Sequence, residues 1–279
     1  MECTEKHKTS TFNDAKGRKL FFRNWPTDNK PKGIILILHG LNSHSGYYQE
    51  FARELNRSNY ESYAFDLPGR GQSEGEPYYI HDYQEIIAAT DQLVQLIQTA
   101  HPTVPIVLLG HSAGGVFAAA YALLHQDKLK GFICESFAFR VPAPAFALTI
   151  MKLLGYIIPH VRLVKLKNDD FSRDRSFVYK MNHDPLVMDE KQPARSMQQL
   201  LFAADYLKKN MADIALPLFI LHGTADKVTR PQGSRYFIEH ASSPDKQLKF
   251  YEGHYHDLLN DKYNGIVVRD MIKWLNGIC

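Results

Sequence analysis

Six short apolar runs alternate along the chain with longer segments whose apolar residues recur at helical spacing. Several of the short runs are apolar at nearly every position, which is typical of strands covered on both faces. The alternation predicts a mostly parallel sheet with helices on both faces. The runs are GIILILH (33–39), YESYAFD (60–66), PIVLLGH (105–111), KGFICES (130–136), PLFILHG (217–223) and QLKFYEG (247–253); the helical segments are 82–98, 115–126 and 264–277, and KLFFRNW (19–25) suits an antiparallel start.

The alternation stops between residues 137 and 205. This segment has no clear strand pattern, is rich in Phe, Leu and Ile at first, and turns polar near KNDDFSRDRS. We interpret it as a helical insertion lying over one edge of the sheet. The predicted organisation is a core of residues 1–136 and 206–279, interrupted by a helical cap (lid) of residues 137–205.

The composition is typical of a soluble globular protein and argues against a nucleic-acid-binding or membrane-spanning one. The length of 279 residues fits one large α/β domain or two small ones, and the content of 44% hydrophobic and 23% charged residues is ordinary for a soluble globular protein. The balance of 33 basic and 30 acidic residues gives a net charge of +3 without any basic run, so we expect no nucleic-acid partner. The polar N-terminal residues suggest no signal peptide, and Lys152 and several prolines make the stretch 141–159 a poor transmembrane candidate.

Three cysteines, Cys3, Cys134 and Cys279, are widely spaced along the chain. They show no metal-ligand spacing, and an odd number argues against a disulfide framework. The cysteine pattern therefore predicts a reducing, cytoplasmic compartment and no metal site.

The segment GHSAGG (110–115) contains a candidate catalytic serine. Residues 110–114 fit the pattern G-x-S-x-G, and they lie between a predicted strand and a predicted helix. This context is typical of a nucleophile elbow, a sharp turn that exposes a serine. We expect Gly110 and Gly114 to be required because a Cβ at either position would collide with neighbouring backbone. The alternative is a glycine-rich turn with an incidental serine, which the strand and helix context disfavours.

An acid and a base follow two later strands. A serine hydroxyl needs an adjacent base to act as a nucleophile. Asp226 follows PLFILHG, and both His254 and His256 follow QLKFYEG. Since the carboxyl ends of parallel strands meet at one edge of a sheet, these groups should lie near Ser112. We predict Ser112 as nucleophile, Asp226 as the acid that orients the imidazole, and His256 as base, with His254 as the alternative base.

Two loops after strands complete the predicted site. The oxyanion donors of such a site are the N–H after the nucleophile and one from an earlier loop, here Ala113 and Leu41. A simple turn is the alternative for the loop HGLNSHSG. The glycine-rich loop FDLPGRGQSEGE (65–76) lacks the spacing of a phosphate-binding loop, so we interpret Asp66 and its glycines as scaffold residues.

The motifs of this chain, taken in order, resemble those of a known family. The segments HGLNSHSGYY, FDLPGRGQSEGE, GHSAGG, SRDRSFVYKMNHDPLV, LHGTADKVT and YEGHYHDLL occur in the order found in the monoglyceride lipase and lysophospholipase-like branch of the α/β-hydrolases. The resemblance covers residues 18–275. It implies an α/β-hydrolase fold and a serine hydrolase that acts on esters of single acyl chains, with no metal or organic cofactor.

The resemblance also bears on single residues. It implies the same roles for Ser112, Asp226 and His256, and the spacing from Gly253 to His256 favours His256 over His254. Leu41 and Ala113 fall at the oxyanion positions. The family often has a small residue where this chain has Leu41, so a narrower acyl entrance is expected.

The start of the cap suits a lipid substrate. The stretch FAFRVPAPAFALTIMKLLGYIIPHV (137–161) holds more apolar residues than a surface insertion requires. We expect part of it to rest on a membrane surface as a peripheral contact; the alternative is that these residues only pack against the core. The residues expected to line an acyl tunnel are Phe139, Phe146, Leu148, Ile150 and Leu154.

The sequence therefore predicts an esterase with a lipid ester as its small-molecule substrate, most simply a monoacylglycerol, cleaved through an acyl-enzyme. A lysophospholipase, general carboxylesterase, thioesterase, acyltransferase or peptidase could use the same residues. A lipid-binding protein on an inactive scaffold is the non-enzymatic alternative.

Overall fold

The structure is a computed structural model that describes residues 7–279. The N-terminal residues 1–6, including Cys3, lie outside the described range. Within it, Cys134 is buried and Cys279 is exposed, and both are free thiols. The strands of this range are β1 (Lys8–Asn13), β2 (Lys19–Trp25), β3 (Gly33–Leu38), β4 (Tyr60–Phe65), β5 (Ile106–His111), β6 (Gly131–Glu135), β7 (Arg162–Val164), β8 (Gln192–Pro193), β9 (Leu218–Gly223) and β10 (Lys246–Tyr251).

Eight of these strands form one sheet in the order β1-β2-β4-β3-β5-β6-β9-β10. The pairs from β4 to β10 are parallel, whereas β1–β2 and β2–β4 are antiparallel. The predicted parallel sheet with an antiparallel start is confirmed. Because the carboxyl ends of the parallel strands share one edge, the loops after β3, β5, β6, β9 and β10 meet there.

Helices cover both faces of the sheet, as predicted. Along β3, Ile34, Leu36 and Leu38 pack in one apolar cluster and Ile35 and Ile37 in another, because successive side chains point to opposite faces. The first cluster includes residues of α2, α3, α6 and α7, and the second includes residues of α1 and α8. The helices are α1 (Gln49–Arg57), α2 (Tyr83–Ala100), α3 (Ala113–Leu124), α4 (Ala145–Ile157), α5 (Arg175–His183), α6 (Ala194–Asn210), α7 (Pro231–His240) and α8 (Gly265–Ile278).

The segment between β6 and β9 contains α4, β7, α5, β8 and α6. The short strands β7 and β8 pair in a separate two-stranded sheet, so the expectation of no strand in residues 137–205 was wrong. With three and two residues, these strands are too short to show an alternating pattern.

The helix α6 continues across residue 205, so the predicted cap boundary falls inside it, and the division into core and cap stays a prediction. None of the helices within residues 7–279 combines the length and the apolar character needed to cross a bilayer.

Candidate active site

A strained turn joins β5 to α3 at a single residue. β5 ends at His111, α3 begins at Ala113, and Ser112 between them has φ +55° and ψ −120°. A non-glycine residue in such a conformation costs about 1–3 kcal/mol and persists only where its surroundings hold it. Here the Ser112 N–H donates to the Glu135 carbonyl oxygen at 2.9 Å, and the Ser112 carbonyl oxygen accepts from Gly115 N at 3.0 Å.

Two glycines leave room for this turn. A Cβ added at Gly110 would lie 2.6 Å from the Cα of Gly115. A Cβ at Gly114 would lie 2.3 Å from the carbonyl oxygens of both Leu38 and His39. These contacts are with backbone atoms that cannot rotate away. The packing of β5 against α3 therefore requires glycine at position 110, and the packing of α3 against the end of β3 requires glycine at position 114.

The structure brings the predicted Ser112, His256 and Asp226 together. His256 Nε2 lies 2.8 Å from Ser112 Oγ, and His256 Nδ1 lies 2.8 Å from Asp226 Oδ2. All three residues are buried. Since an ionised carboxylate only accepts hydrogen bonds, Nδ1 carries the proton and Nε2 is free to accept the proton of the serine hydroxyl.

The alternative base, His254, lies elsewhere. Its Nδ1 is 3.6 Å from Asp261 Oδ2. Within residues 7–279 it makes no hydrogen bond to Ser112 or Asp226. The geometry therefore favours His256 over His254 as the base.

The Asp226 carboxylate accepts an unusually large number of hydrogen bonds. Oδ2 accepts from His256, from Thr229 Oγ1 at 2.7 Å and from His222 Nε2 at 3.0 Å. Oδ1 accepts from the backbone N–H groups of Val228 at 2.8 Å and Thr229 at 2.9 Å. Burial by itself would raise the pKa of Asp226, but His256 and the hydrogen bonds from both histidines hold it well below its usual range. The carboxylate is thus ionised throughout the neutral pH range.

His222 is a residue of this network that the sequence reasoning missed. Burial lowers its pKa despite the nearby Asp226, so the ring is neutral at neutral pH. Its Nε2–H donates to Asp226, and its Nδ1 accepts from Ser234 Oγ at 2.7 Å. The only signal in the sequence is the spacing of four residues between His222, which lies in the run predicted as a strand, and Asp226, which follows that run.

The loop after β3 presents the second predicted oxyanion donor. Within residues 7–279 the Leu41 N–H has no hydrogen-bond acceptor, and the Ala113 N–H is one of those that a helix leaves unpaired at its first turn. Both residues border the same cavity as Ser112. The two N–H groups are therefore free to bind a developing oxyanion.

His39 and Asp66 hold this loop in place. His39 Nδ1 donates to the Gly40 carbonyl oxygen at 2.7 Å, and Nε2 accepts from Leu67 N at 3.0 Å. Burial lowers the pKa of His39 to about 4, so this neutral tautomer is maintained. Asp66 Oδ1 accepts from Ser45 N at 2.7 Å, which joins the loop after β3 to the loop after β4. These contacts agree with the scaffold role expected for Asp66.

Ser112 opens onto a cavity of about 1060 Å³ between the sheet edge and the segment that joins β6 to β9. Of the predicted lining residues, Phe139 and Leu148 border this cavity. Phe146, Ile150 and Leu154 do not; Phe146 is 69% and Ile150 is 50% exposed. Since residues three and four apart share one face of a helix, α4 turns Phe146 and Ile150 to solvent and Leu148 to the cavity. The prediction that Phe146, Ile150 and Leu154 line the cavity was therefore wrong.

A second buried polar cluster adjoins Ser112, whose N–H donates to the Glu135 carbonyl oxygen. One potential ligand atom each from His111, Glu135 and Asp257 lies within 4.8 Å of the others, so within the described residues this group could hold a metal ion. Burial raises the pKa of Glu135 well above its usual range and that of Asp257 to about 6, and it lowers the pKa of His111. Burial thus keeps His111 neutral at neutral pH and favours the protonated form of Glu135. Glu135 Oε1 accepts from Leu259 N at 3.1 Å, which ties down the segment after His256.

Comparison with known proteins agrees with this geometry. Residues 29–263 match the profile of the Hydrolase_4 family, described as serine aminopeptidase, S33. A monoglyceride lipase of Rattus norvegicus is 33% identical over 268 residues, which cover 94% of this chain and 88% of the relative.

Two solved structures share the fold. The crystal structure of Paleococcus ferrophilus monoacylglycerol lipase matches with a TM-score of 0.84 at 29% identity, covering 93% of this chain and 99% of that one. A soluble variant of monoglyceride lipase from Saccharomyces cerevisiae, in complex with a substrate analog, matches with a TM-score of 0.86 at 23% identity, covering 99% and 96%. The chain therefore belongs to the Hydrolase_4 family, on the monoglyceride lipase branch of the α/β-hydrolases, and it is a serine ester hydrolase.

Proposed function

We propose that the protein is a monoacylglycerol lipase that uses Ser112, His256 and Asp226 as a catalytic triad. One observation carries the proposal: the Ser112 hydroxyl, bonded to His256, opens onto a large cavity with a mainly apolar lining. Such a cavity suits an acyl chain, whose burial is favourable in proportion to its apolar area. The monoglyceride lipases among its relatives support the same substrate class.

In the first half of the reaction, Ser112 Oγ attacks the ester carbonyl carbon while His256 Nε2 takes the hydroxyl proton. The carbonyl oxygen becomes an oxyanion, and the N–H groups of Leu41 and Ala113 stabilise it. Asp226 holds the imidazole in the correct tautomer and stabilises its protonated form. When the C–O bond of the ester breaks, the proton on Nε2 passes to the glycerol oxygen, and the acyl group stays on Ser112.

In the second half, water replaces glycerol. His256 Nε2 takes a proton from the water as its oxygen attacks the acyl carbon. The same oxyanion donors act again, and the proton returns to Ser112 Oγ as the fatty acid leaves. Each turnover consumes one water and regenerates the neutral histidine.

The family description also names an aminopeptidase, but the cavity of this chain favours esters. A peptide with a free N-terminus would need an acidic group to bind its ammonium. The cavity is bordered by six basic residues and one acidic residue, Asp170. This distribution repels a cationic substrate.

The test is hydrolysis of monoacylglycerols of increasing chain length beside short p-nitrophenyl esters and an aminoacyl anilide. Ser112→Ala should lower kcat/KM by at least ~10⁴-fold, since it removes the nucleophile. Ser242→Ala, at an exposed serine outside the site, is the matched control and should behave as wild type. Activity confined to the shortest esters, or a Ser112→Ala protein that keeps most of its activity, would contradict the proposal. Product analysis with a competing alcohol distinguishes hydrolysis from acyl transfer.

A further inference from the structure

The cavity that contains Ser112 is bordered by a local excess of positive charge. The whole chain is nearly balanced, with 33 basic and 30 acidic residues. Around the cavity, one acidic residue, Asp170, faces six basic ones, all of them exposed. We call these six residues the basic rim: Arg140, Lys165, Lys167, Lys208, Lys227 and Arg230.

Half of the basic rim comes from the loops that build the active site. Arg140 follows β6, and Lys227 and Arg230 follow β9, next to Asp226. The Arg230 N–H donates to the Arg140 carbonyl oxygen at 2.8 Å, so the two arginines start from adjoining backbone. The Arg140 guanidinium lies 4.8 Å from the centre of the Tyr236 ring, which holds it beside the loop. Aromatic rings therefore hold two of these cations beside the loops that carry the reacting groups, Arg140 through Tyr236 and Lys227 through Tyr255.

The other half, Lys165, Lys167 and Lys208, comes from the segment between β7 and α5 and from α6. Within residues 7–279, none of the six rim side chains has an acidic group within salt-bridge distance. Elsewhere on the surface such pairs are common; Lys152 of α4, for example, contacts Asp205 at 2.5 Å. The charge of the basic rim is thus not neutralised by the protein itself, and it is available to a ligand.

We propose that the basic rim binds an anionic head group, and that the enzyme cleaves monoacylglycerols bearing a phosphate more efficiently than uncharged monoacylglycerols. This rests on the proposed function, because the same Ser112 chemistry cleaves the acyl ester. Water supplies a hydroxyl to the acyl carbon and a proton to the glycerol oxygen, and the phosphate ester stays intact. A phosphate is the fitting chemistry since arginine forks bind its oxygens in pairs and lysines add point charges.

The same rim discriminates against cationic groups. The choline head group of a lysophosphatidylcholine would place an ammonium among the six cations. Specificity then arises from attraction of one head group and repulsion of another. The expected order of kcat/KM is lysophosphatidate first, uncharged monoacylglycerol second and lysophosphatidylcholine last.

The experiment compares three decanoyl lipids that differ only in head group, each below its critical micelle concentration so that no interface is present. The full chain should cleave decanoyl lysophosphatidate with a kcat/KM roughly 10-fold above that for monodecanoylglycerol at low salt. This ratio should fall as salt rises from about 0.1 M to about 1 M, because the Debye length shrinks from ~10 Å to ~3 Å. A ratio of one or less at low salt, or a ratio that salt does not change, overturns the proposal.

A charge-matched pair of variants locates the effect. Lys165→Gln/Lys167→Gln/Arg230→Gln removes half of the basic rim and should bring the ratio close to one. Lys8→Gln/Lys30→Gln/Lys273→Gln removes the same charge from exposed positions outside the cavity and should leave the ratio as in wild type. An equal fall in both variants, or no fall in the rim variant, overturns the proposal.

Two further outcomes separate the explanations. A preference that appears only with anionic vesicles, and not with monomeric lipids, assigns the cations to a membrane surface and overturns the head-group proposal. Cleavage of lysophosphatidate without Ser112-dependent cleavage of any uncharged monoacylglycerol supports the basic rim and refutes the proposed function.

Discussion

The floor of the cavity, next to Ser112, and its mouth, at the basic rim, differ in burial and in hydrogen bonding. At the floor, Ser112, Asp226 and His256 are buried, and hydrogen bonds fix the orientation of each. At the mouth, the basic rim is exposed and has no acidic partner among residues 7–279, and α4 turns Phe146 and Ile150 to solvent. If both proposals hold, the chemistry depends on the floor and the selectivity on the mouth, so the two properties are supported by separate parts of the chain. Changes at the floor should affect every substrate alike, whereas changes at the mouth should affect the choice of substrate and surface.

The largest effect on the floor is expected from Gly114→Ala. The new Cβ would overlap two backbone carbonyl oxygens, so β3 and α3 must separate, and overpacking of this kind costs about 1–3 kcal/mol or more. The free energy of unfolding should fall, and turnover of all esters should fall with it. Denaturant titration and esterase assays measure the two effects. The control is Gly277→Ala in α8, where a Cβ meets nothing within 4 Å and should be neutral or stabilising by up to ~1 kcal/mol.

A smaller and more specific effect is expected at His222. In His222→Phe, Asp226 loses one hydrogen-bond donor, so its carboxylate stabilises the protonated form of His256 more strongly. Because the base must be neutral to act, the acid limb of kcat/KM should move to higher pH, by up to about one unit. His222→Gln keeps a donor near the same place and should return the limb towards the wild-type position. An acid limb that stays fixed in His222→Phe would show that His222 only fills space.

In the buried polar cluster next to Ser112, Glu135→Gln should change the pH dependence of stability. The pKa of Glu135 is raised in the folded state. Its contribution to the free energy of unfolding is therefore fully present below the unfolded-state pKa near ~4.3, and it is lost as the pH rises towards the folded-state pKa. The amide keeps an acceptor for Leu259 N and cannot ionise. Thermal melts should show a higher Tm than wild type at pH ~8, by a few degrees at about 2–4 °C per kcal/mol, with the difference closing near pH ~4.5. A difference independent of pH would contradict this account.

The smallest effect on catalysis is expected from Phe146→Ser/Ile150→Ser on the outer face of α4. The predicted membrane contact should weaken, with cosedimentation on lipid vesicles falling roughly 10-fold as apolar area is lost. Hydrolysis of monomeric esters should stay close to wild type because neither side chain borders the cavity. Leu148→Ser on the inner face is the matched contrast, and it should raise KM instead. Unchanged vesicle binding would leave this face of α4 without a role at membranes.

Much of this fold could be predicted from the sequence because the central strands are buried on both faces. β3, β5 and β9 are apolar at nearly every position, so they stand out from their surroundings. β1 escaped prediction since five of its six residues are exposed, which leaves no apolar pattern. β7 and β8 are too short for any pattern.

The candidate site was predictable for a similar reason. In a parallel sheet, residues just after strands meet at one edge, so chain order predicted that Ser112, Asp226 and either His254 or His256 lie together, and the resemblance to the family favoured His256. The orientation of α4 was not predictable, because both of its faces are apolar and only packing decides which one meets the cavity. His222 was not predictable either, since a histidine at the end of a buried strand gains its role from the side chains that surround it.

The position of α6 limits how the enzyme can move. Its residues Leu200, Ala203 and Leu207 are buried in the same apolar cluster as β3 and α3, although α6 also borders the cavity. Lifting α6 would expose part of the main core, a cost that small local openings do not carry. An opening of the entrance at low free energy is therefore expected in α4, where only Gly155 is buried, rather than in α6. We therefore expect substrate entry to leave α6 in place, whatever movement α4 makes.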